Sequence, residues 1–325
     1  MENLKKKILK NNPDLKESSI NTYLNSIKKL SHYLGISKFN VKYLNDFDSV
    51  INFLENESNF SLPTKRNYIT AILVVIKLDK KINPNISKAY YTYHKNLTEI
   101  QNDIYSENIK TEKEETNWIT LEEIITKKEK IESIIHNLLK DNTFNINLLD
   151  KFQQYIILNL YTLLPPIRND YAGEMLLLKE DLEQYSKLNR IILSQKHLIL
   201  TNYKTSGSYG TKVIDIPEKL NVILKDWFSL RTIYNNINLV NNNKKQADKF
   251  YLLIKLTNPN EFMSKNMLTK TLNKIFYPKK VSTTLLRKIY LSEKYPVIST
   301  YKEMQNDAYI MGHDINTAKL IYSKK

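Results

Sequence analysis

Cysteine is absent from this 325-residue sequence. Disulfides, thiolate nucleophiles and cysteine-based zinc sites are excluded with it, so any chemistry must come from other side chains. Histidine is scarce. The five present, His32, His94, His136, His197 and His313, are nowhere spaced as a ligand pair on one helix face, which argues against a histidine metal site. Glycine also numbers only five, and no Gly-rich loop of the Walker type occurs. No apolar run approaches the roughly 20 residues that span a bilayer. The opening MENLKKKILKNNPDLK lacks the apolar centre of a signal peptide. These absences predict a soluble, intracellular protein with no metal, no cofactor, no membrane partner and no small-molecule substrate.

Acidic residues fall short of basic ones, 34 against 49, for a formal net charge of +15 and a pI near 9.4. Such a surplus implies a polyanionic partner, because clustered Lys and Arg gain affinity by releasing counterions from phosphates. The abundance of Asn, Lys, Ile and Tyr suggests an AT-rich coding source, and part of the lysine count follows from that bias.

The length suggests two domains. Apolar residues recur at helical spacing after Ser18 (Ile20, Tyr23, Leu24, Ile27, Leu30, Leu34), with Gly35 as a stop signal. Further stripes run Phe47, Val50, Ile51, Leu54; then Tyr68, Ala71, Ile72, Val75 after Ser61 and Pro63; then about Ser87 to Ile100. This predicts a four-helix domain over residues 1–100. The polar stretch QNDIYSENIKTEKEETN, 101–117, has no apolar period and reads as a linker. A second domain follows over 118–325. It opens on a capping box at Thr120 and Glu123 and continues with a helix from about Asn147 to Leu163.

The period then changes. MLLLKE (Met175 to Glu180), HLILTNYK (His197 to Lys204) and TKVIDIP (Thr211 to Pro217) read as short strands, the last two joined through SGSYG. Pro217 starts a helix carrying Leu220, Leu224 and Trp227, and Asn235 to Gln246 reads as a surface loop. Helices are expected from Ser264 to Phe276, Thr283 to Glu293, Thr300 to Met311, and from Ile315 onward. The fold class is mainly α with a small antiparallel β-sheet (α+β).

Three separated segments could carry chemistry. In LLPPIRNDYAGEM, Arg168 lies just beyond a Pro pair that must end the preceding helix. An arginine at such a corner is usually a solvated or salt-bridged surface residue. In TTLLRKIY, Arg287 sits beside an apolar stripe that its stem could simply cover. In IMGHDINTAKLIYSKK, Gly312 closes a helix, His313 sits at the turn and Tyr322 follows on a short helix, where a tyrosine is normally packing.

Taken in order, an Arg, a hairpin Lys, an Arg on a helix, Gly-His and then Tyr resemble the tyrosine recombinase (lambda-integrase-like) family. The resemblance covers about 118–325 as a catalytic domain, and the helical 1–100 is similar to that family's core-binding, DNA-binding domain. MGHDINTAKLIY is the most specific part. PPIRNDYAGEM departs from the usual first box: Tyr171 stands where a carboxylate is common, with Asp170 and Glu174 nearby, and the supporting acid stays unassigned. The style is similar to that of recombinases from large DNA viruses and their satellites.

The resemblance implies that Tyr322 attacks a DNA phosphorus to give a 3'-phosphotyrosyl link, and that a 5'-hydroxyl leaves. It makes Arg168 and Arg287 paired donors to the nonbridging oxygens, where transition-state charge gathers. His313 would donate to the same oxygens or accept the tyrosine proton. A hairpin lysine would protonate the leaving oxygen. Lys204, at the end of LILTNYK and before Thr205, fits the family's Lys-Thr placement and is preferred to Lys212 across the turn, which is kept as a DNA-binding residue. Thr284 stands where the family has His or Lys, so it is at most a helper that donates one hydrogen bond. Thr64, Lys65 and Arg66 are further DNA-binding candidates through phosphate contacts.

The expected partner is double-stranded DNA, bound as a dimer or tetramer, and the expected activity is site-specific recombination or integration. Type IB topoisomerase-like strand relaxation and a degenerate, non-cutting DNA binder are the alternatives.

Overall fold

Several helix starts in this chain, among them those after Asp46, Thr120, Asn145 and Ser282, are written by side chains that accept hydrogen bonds from the free N–H groups of a first turn. The computed structural model describes residues 2–324 except 14, 37–39, 58, 79–81, 142–143, 243–248 and 296–300. The chain divides into two units, 1–107 and 108–325.

The first unit holds α1 (Glu2–Asn11), α2 (Glu17–Tyr33), α3 (Phe47–Asn52), α4 (Leu62–Ile76) and α5 (Pro84–Ser106). In α2 the predicted stripe is buried at Ile20, Leu24, Ile27 and Leu30. The chain turns beyond it at Gly35, whose φ of +69° is a left-handed conformation that suits glycine. The Asp46 side chain caps α3 by accepting from the Ser49 N–H at 3.1 Å, and Pro63 sits in the first turn of α4. The core gathers Ile27, Leu30, Val50, Tyr68, Ile72 and Tyr90. α1, which the periodicity did not single out, adds Ile8 to a small cluster with Ile20 and Leu24.

The stretch expected as a linker, 101–117, is largely helical. It carries the end of α5 and then α6 (Glu112–Asn117), which opens on a capping box between Thr111 and Glu114. Its polar composition reflects exposure: Ile100, Ile104 and Ile109 all face solvent, so no buried stripe marks these turns.

The second unit begins with α7 (Leu121–Lys140), capped by Thr120 and Glu123 as the sequence predicts. α8 (Ile146–Leu163) follows, and Phe152 to Tyr161 are buried on every side, which makes it the central helix of this unit. Four strands, β1 (Leu176–Leu178), β2 (Arg190–Ile192), β3 (His197–Leu200) and β4 (Lys212–Asp215), form a sheet in the order β1-β2-β3-β4. β2–β3 and β3–β4 are antiparallel and β1 and β2 run parallel, so the small sheet is antiparallel-rich. β2 is three residues long, too short to show a period.

β3 stops at Leu200, four residues before the predicted end, and the turn beyond it contains α9 (Ser206–Tyr209). α10 (Glu218–Asn242) stacks Trp227 on Phe152 with centroids 5.7 Å apart. The loop expected over Asn235 to Gln246 is therefore helical as far as Asn242, and 243–246 lie outside the described residues. A two-stranded ribbon, β5 (Ile254–Lys255) and β6 (Asn258–Phe262), precedes α11 (Lys265–Ile275), α12 (Thr283–Lys294), α13 (Tyr301–Met311) and α14 (Ile315–Thr317). A π-helical turn, Ala318–Tyr322, follows. Thr300, the expected start of α13, lies outside the described residues. The architecture is mainly helical with a small, antiparallel-rich sheet.

Candidate active site

Arg168 follows the Pro165–Pro166 pair beyond α8, and its place is fixed from both sides. Its backbone carbonyl accepts from the Tyr161 hydroxyl at 3.1 Å, and its Nη1 donates to the Gly312 carbonyl at 3.2 Å. The Thr205 hydroxyl donates to that same carbonyl at 3.1 Å. Gly312 has φ +78°, and a Cβ there would stand 3.0 Å from Arg168 Nη1 and 3.2 Å from Thr205 Oγ1. The left-handed backbone favours glycine, and a Cβ would make the Arg168 and Thr205 side chains give by a few tenths of an ångström.

Arg287, on α12, is 1% exposed. Its Nη1 donates to the Tyr322 hydroxyl at 2.7 Å and its Nη2 to the Met311 carbonyl at 3.1 Å. The guanidinium also lies 4.2 Å from the centroid of the Tyr322 ring, a cation–π contact. Burial pushes its pKa down to about 10, so it stays charged at neutral pH. The His313 ring also stacks on Tyr322, at 4.8 Å between centroids and 10° between planes.

His313 Nδ1 lies 3.2 Å from the Asp314 carbonyl oxygen. A carbonyl can only accept, so the proton is assigned to Nδ1 and Nε2 is left as a bare acceptor. Nε2 is buried and has no hydrogen-bond partner. Burial, with Arg287 nearby, pushes the His313 pKa down to about 4, so the ring is neutral near pH 7.

The two arginine segments are tied together. The Thr283 hydroxyl, on α12, donates to the Asn169 side chain next to Arg168. Of the acids left open near the first arginine, Asp170 is buried and pairs with Lys265 at 3.2 Å, and Glu174 lies 4.0 Å from Lys249.

The two hairpin lysines differ sharply. Lys204 is exposed on the turn after β3. Lys212 is fully buried on β4, opposite Leu200 in the ladder. Its ammonium donates to the Tyr309 carbonyl and lies 4.2, 5.1 and 5.2 Å from the ring centroids of Tyr309, Tyr209 and Tyr203. Burial, and then the Arg168 charge, push its pKa down to about 8. The alternation of β4 carried this signal: Lys212 shares parity with buried Ile214, whereas Val213 and Asp215 face out.

Arg168, Arg287, His313 and Tyr322 therefore meet in one contact network, with Lys212 linked to it through Tyr309 and Gly312 on the α13 end. Thr284 is exposed on the first turn of α12, beside buried Thr283. Lys65 and Arg66 lie on α4 of the first unit, where Lys65 pairs with Glu55. Thr64, on the same helix, has its hydroxyl 2.9 Å from that of Ser61. Sequence reasoning missed Thr205, Thr283 and the three tyrosines around Lys212. Each is a common residue type with no spacing rule to announce it.

No described helix is long and apolar enough to cross a membrane, and no group of three or more metal-binding side chains occurs among the described residues. No protein-family model and no curated protein matches the chain. Among solved structures it is similar to the crystal structure of XerA recombinase, with 12% identity, a TM-score of 0.39, and coverage of 100% of this chain and 94% of that one.

Proposed function

We propose that this protein cleaves and rejoins duplex DNA as a tyrosine recombinase, with Tyr322 as the nucleophile. The single observation that carries the reading is the contact of Tyr322 with both Arg287 and His313, at a turn whose Gly312 carbonyl also receives Arg168. Residues this far apart in sequence are brought into one contact network, and two of them are guanidiniums with no carboxylate partner among the hydrogen bonds they make. A buried guanidinium, Arg287, and a half-buried one, Arg168, that donate only to neutral groups suit an anionic ligand.

The chemistry follows from the donors and acceptors. A phosphodiester entering the site takes donors from Arg287 and Arg168 for its nonbridging oxygens, and the Tyr322 hydroxyl that Arg287 now binds is released beside the phosphorus. The neutral, unpartnered Nε2 of His313 supports the second of its two expected roles, acceptor of the phenolic proton. Lys212, rather than Lys204, is the acid for the leaving 5'-oxygen, since it is the buried lysine beside Arg168. Thr284 and Lys204, being exposed, together with Thr64, Lys65 and Arg66, are reserved for phosphate contacts along the duplex. The phosphotyrosyl link conserves the energy of the broken bond, so religation needs no nucleotide.

A pool of nicked suicide duplexes tests this. The wild-type protein is expected to give a covalent protein–DNA adduct whose peptide map assigns the link to Tyr322, and Tyr322→Phe is expected to give none. An adduct that persists in Tyr322→Phe overturns the assignment. Exchange between two copies of the trapped site is the expected outcome for a recombinase; supercoil relaxation without exchange would instead mark a one-strand topoisomerase.

A further inference from the structure

The setting of Lys212 is unusual for an ammonium. It is fully buried, with three aromatic rings and one backbone carbonyl against it and the Arg168 charge nearby. The rings come from different elements. Tyr203 follows β3 and is held by its hydroxyl, which donates to the Gly210 carbonyl at 2.8 Å. Tyr209 ends α9 and meets Tyr309 edge-on, with centroids 6.2 Å apart. Tyr309 belongs to α13, which leads directly into Gly312 and His313, and it is the exposed wall at 41%.

Ring faces attract a cation but offer no strong hydrogen-bond acceptor, so they hold an ammonium in place without neutralising it or taking its proton. We propose that Tyr203, Tyr209 and Tyr309 form an aromatic cage that positions Lys212 for proton transfer, with Tyr309 as the wall that couples the lysine to the His313 turn. This rests on the reading of Lys212 as the acid. In the step served, Tyr322 Oη bonds to phosphorus and its proton passes to His313 Nε2. The bond from phosphorus to the 5'-oxygen breaks, and that oxygen takes a proton from Lys212 Nζ, which is left as a neutral amine. An acid with a pKa near neutrality gives up its proton more readily than a solvated lysine does, and the water-excluding cage maintains that condition.

The test compares two versions of a trapped suicide duplex, one natural and one with sulfur in place of the bridging 5'-oxygen. A thiolate leaves without protonation, because a thiol is far more acidic than an alcohol. Lys212→Ala is expected to be slow on the oxygen duplex and restored on the sulfur duplex. If sulfur fails to restore it, Lys212 is not the acid, and the cage loses its premise while the Tyr322 adduct stands on its own.

Tyr309→Leu, which keeps the backbone carbonyl but removes the ring, is expected to lose about 10-fold or more on the oxygen duplex and less than about 2-fold on the sulfur duplex. Its alkaline limb should move to higher pH as water reaches the ammonium. Tyr309→Phe, which keeps the ring face, should behave as wild type on both. Tyr209→Leu provides a second opening of the cage should Tyr309→Leu fold poorly by circular dichroism. Equal losses on both duplexes, or a Phe variant as slow as the Leu variant, overturn the cage.

Discussion

His313 has a consequence for stability that its neighbours create. Its folded pKa of about 4 lies below the ordinary value of 6.5 because burial and the Arg287 charge oppose a second positive charge. As pH falls, the unfolded chain therefore takes up the proton first. The contribution is complete above about pH 6.5 and is lost between 6.5 and 4, by something on the order of 3 kcal/mol. In His313→Gln this component is absent, so the stability gap between wild type and variant should narrow across that window in urea titrations. A gap that does not change with pH would refute the buried neutral ring.

Gly312→Ala is expected to lose roughly 1–2 kcal/mol from its left-handed backbone. It should also lose adduct formation, because the new methyl group would meet Arg168 Nη1 at 3.0 Å. Tyr322, His313 and both arginines were legible in the sequence as an ordered set, since the spacing of the Gly-His box to Tyr survives in any fold. The preference for Lys204 over Lys212 came from turn chemistry. The strand parity of Lys212 with Ile214 marks it as the buried one of the two, a signal that turn chemistry does not carry.

At the level of elements, α13 carries the site's carbonyls and is held to α12 by one buried carboxylate. Asp307 accepts from Tyr295 at 2.7 Å, from Tyr290 at 3.0 Å and from Lys294 at 2.6 Å. Asp307→Ala strands two phenols and leaves Lys294 without its acid, at a cost of roughly 1–3 kcal/mol. Because α13 ends at Met311, whose carbonyl receives Arg287, the same change should slow adduct formation even under conditions where the variant is fully folded. Unchanged kinetics in the folded variant would mean that α13 is set by its apolar contacts alone.

Helices with a buried stripe, such as α2, or with a stripe and a side-chain cap together, such as α7 and α12, were legible because these features mark face and boundary. α6 and the end of α5 were not, because their apolar residues are few or exposed. β2, β5 and β6 run two to five residues and owe their form to partners distant in sequence.

For the molecule as a whole, the division at residues 107 and 108 leaves 16 basic and 11 acidic residues in the first unit and 33 and 23 in the second, so both units are basic and the larger part of the net charge of +15 lies with the candidate site. Arg168, Lys212, Arg287, His313, Tyr322 and every residue found to contact them fall within 108–325, and that unit has its own core around α8. The first unit contributes a second core and 15 of the 44 lysines, among them Lys65. A fragment covering 108–325 is therefore expected to fold and to form the Tyr322 adduct with a suicide duplex at saturating DNA, but with weaker duplex binding. It should also show a shallower fall of log affinity with log salt, because fewer phosphates are neutralised and fewer counterions released. Circular dichroism, adduct yield and salt titrations of binding check the three parts separately. A folded fragment that binds with the full-length salt slope would assign the phosphate contacts to the second unit. A folded fragment that binds DNA but forms no adduct would mean that residues 1–107 supply something the chemistry needs.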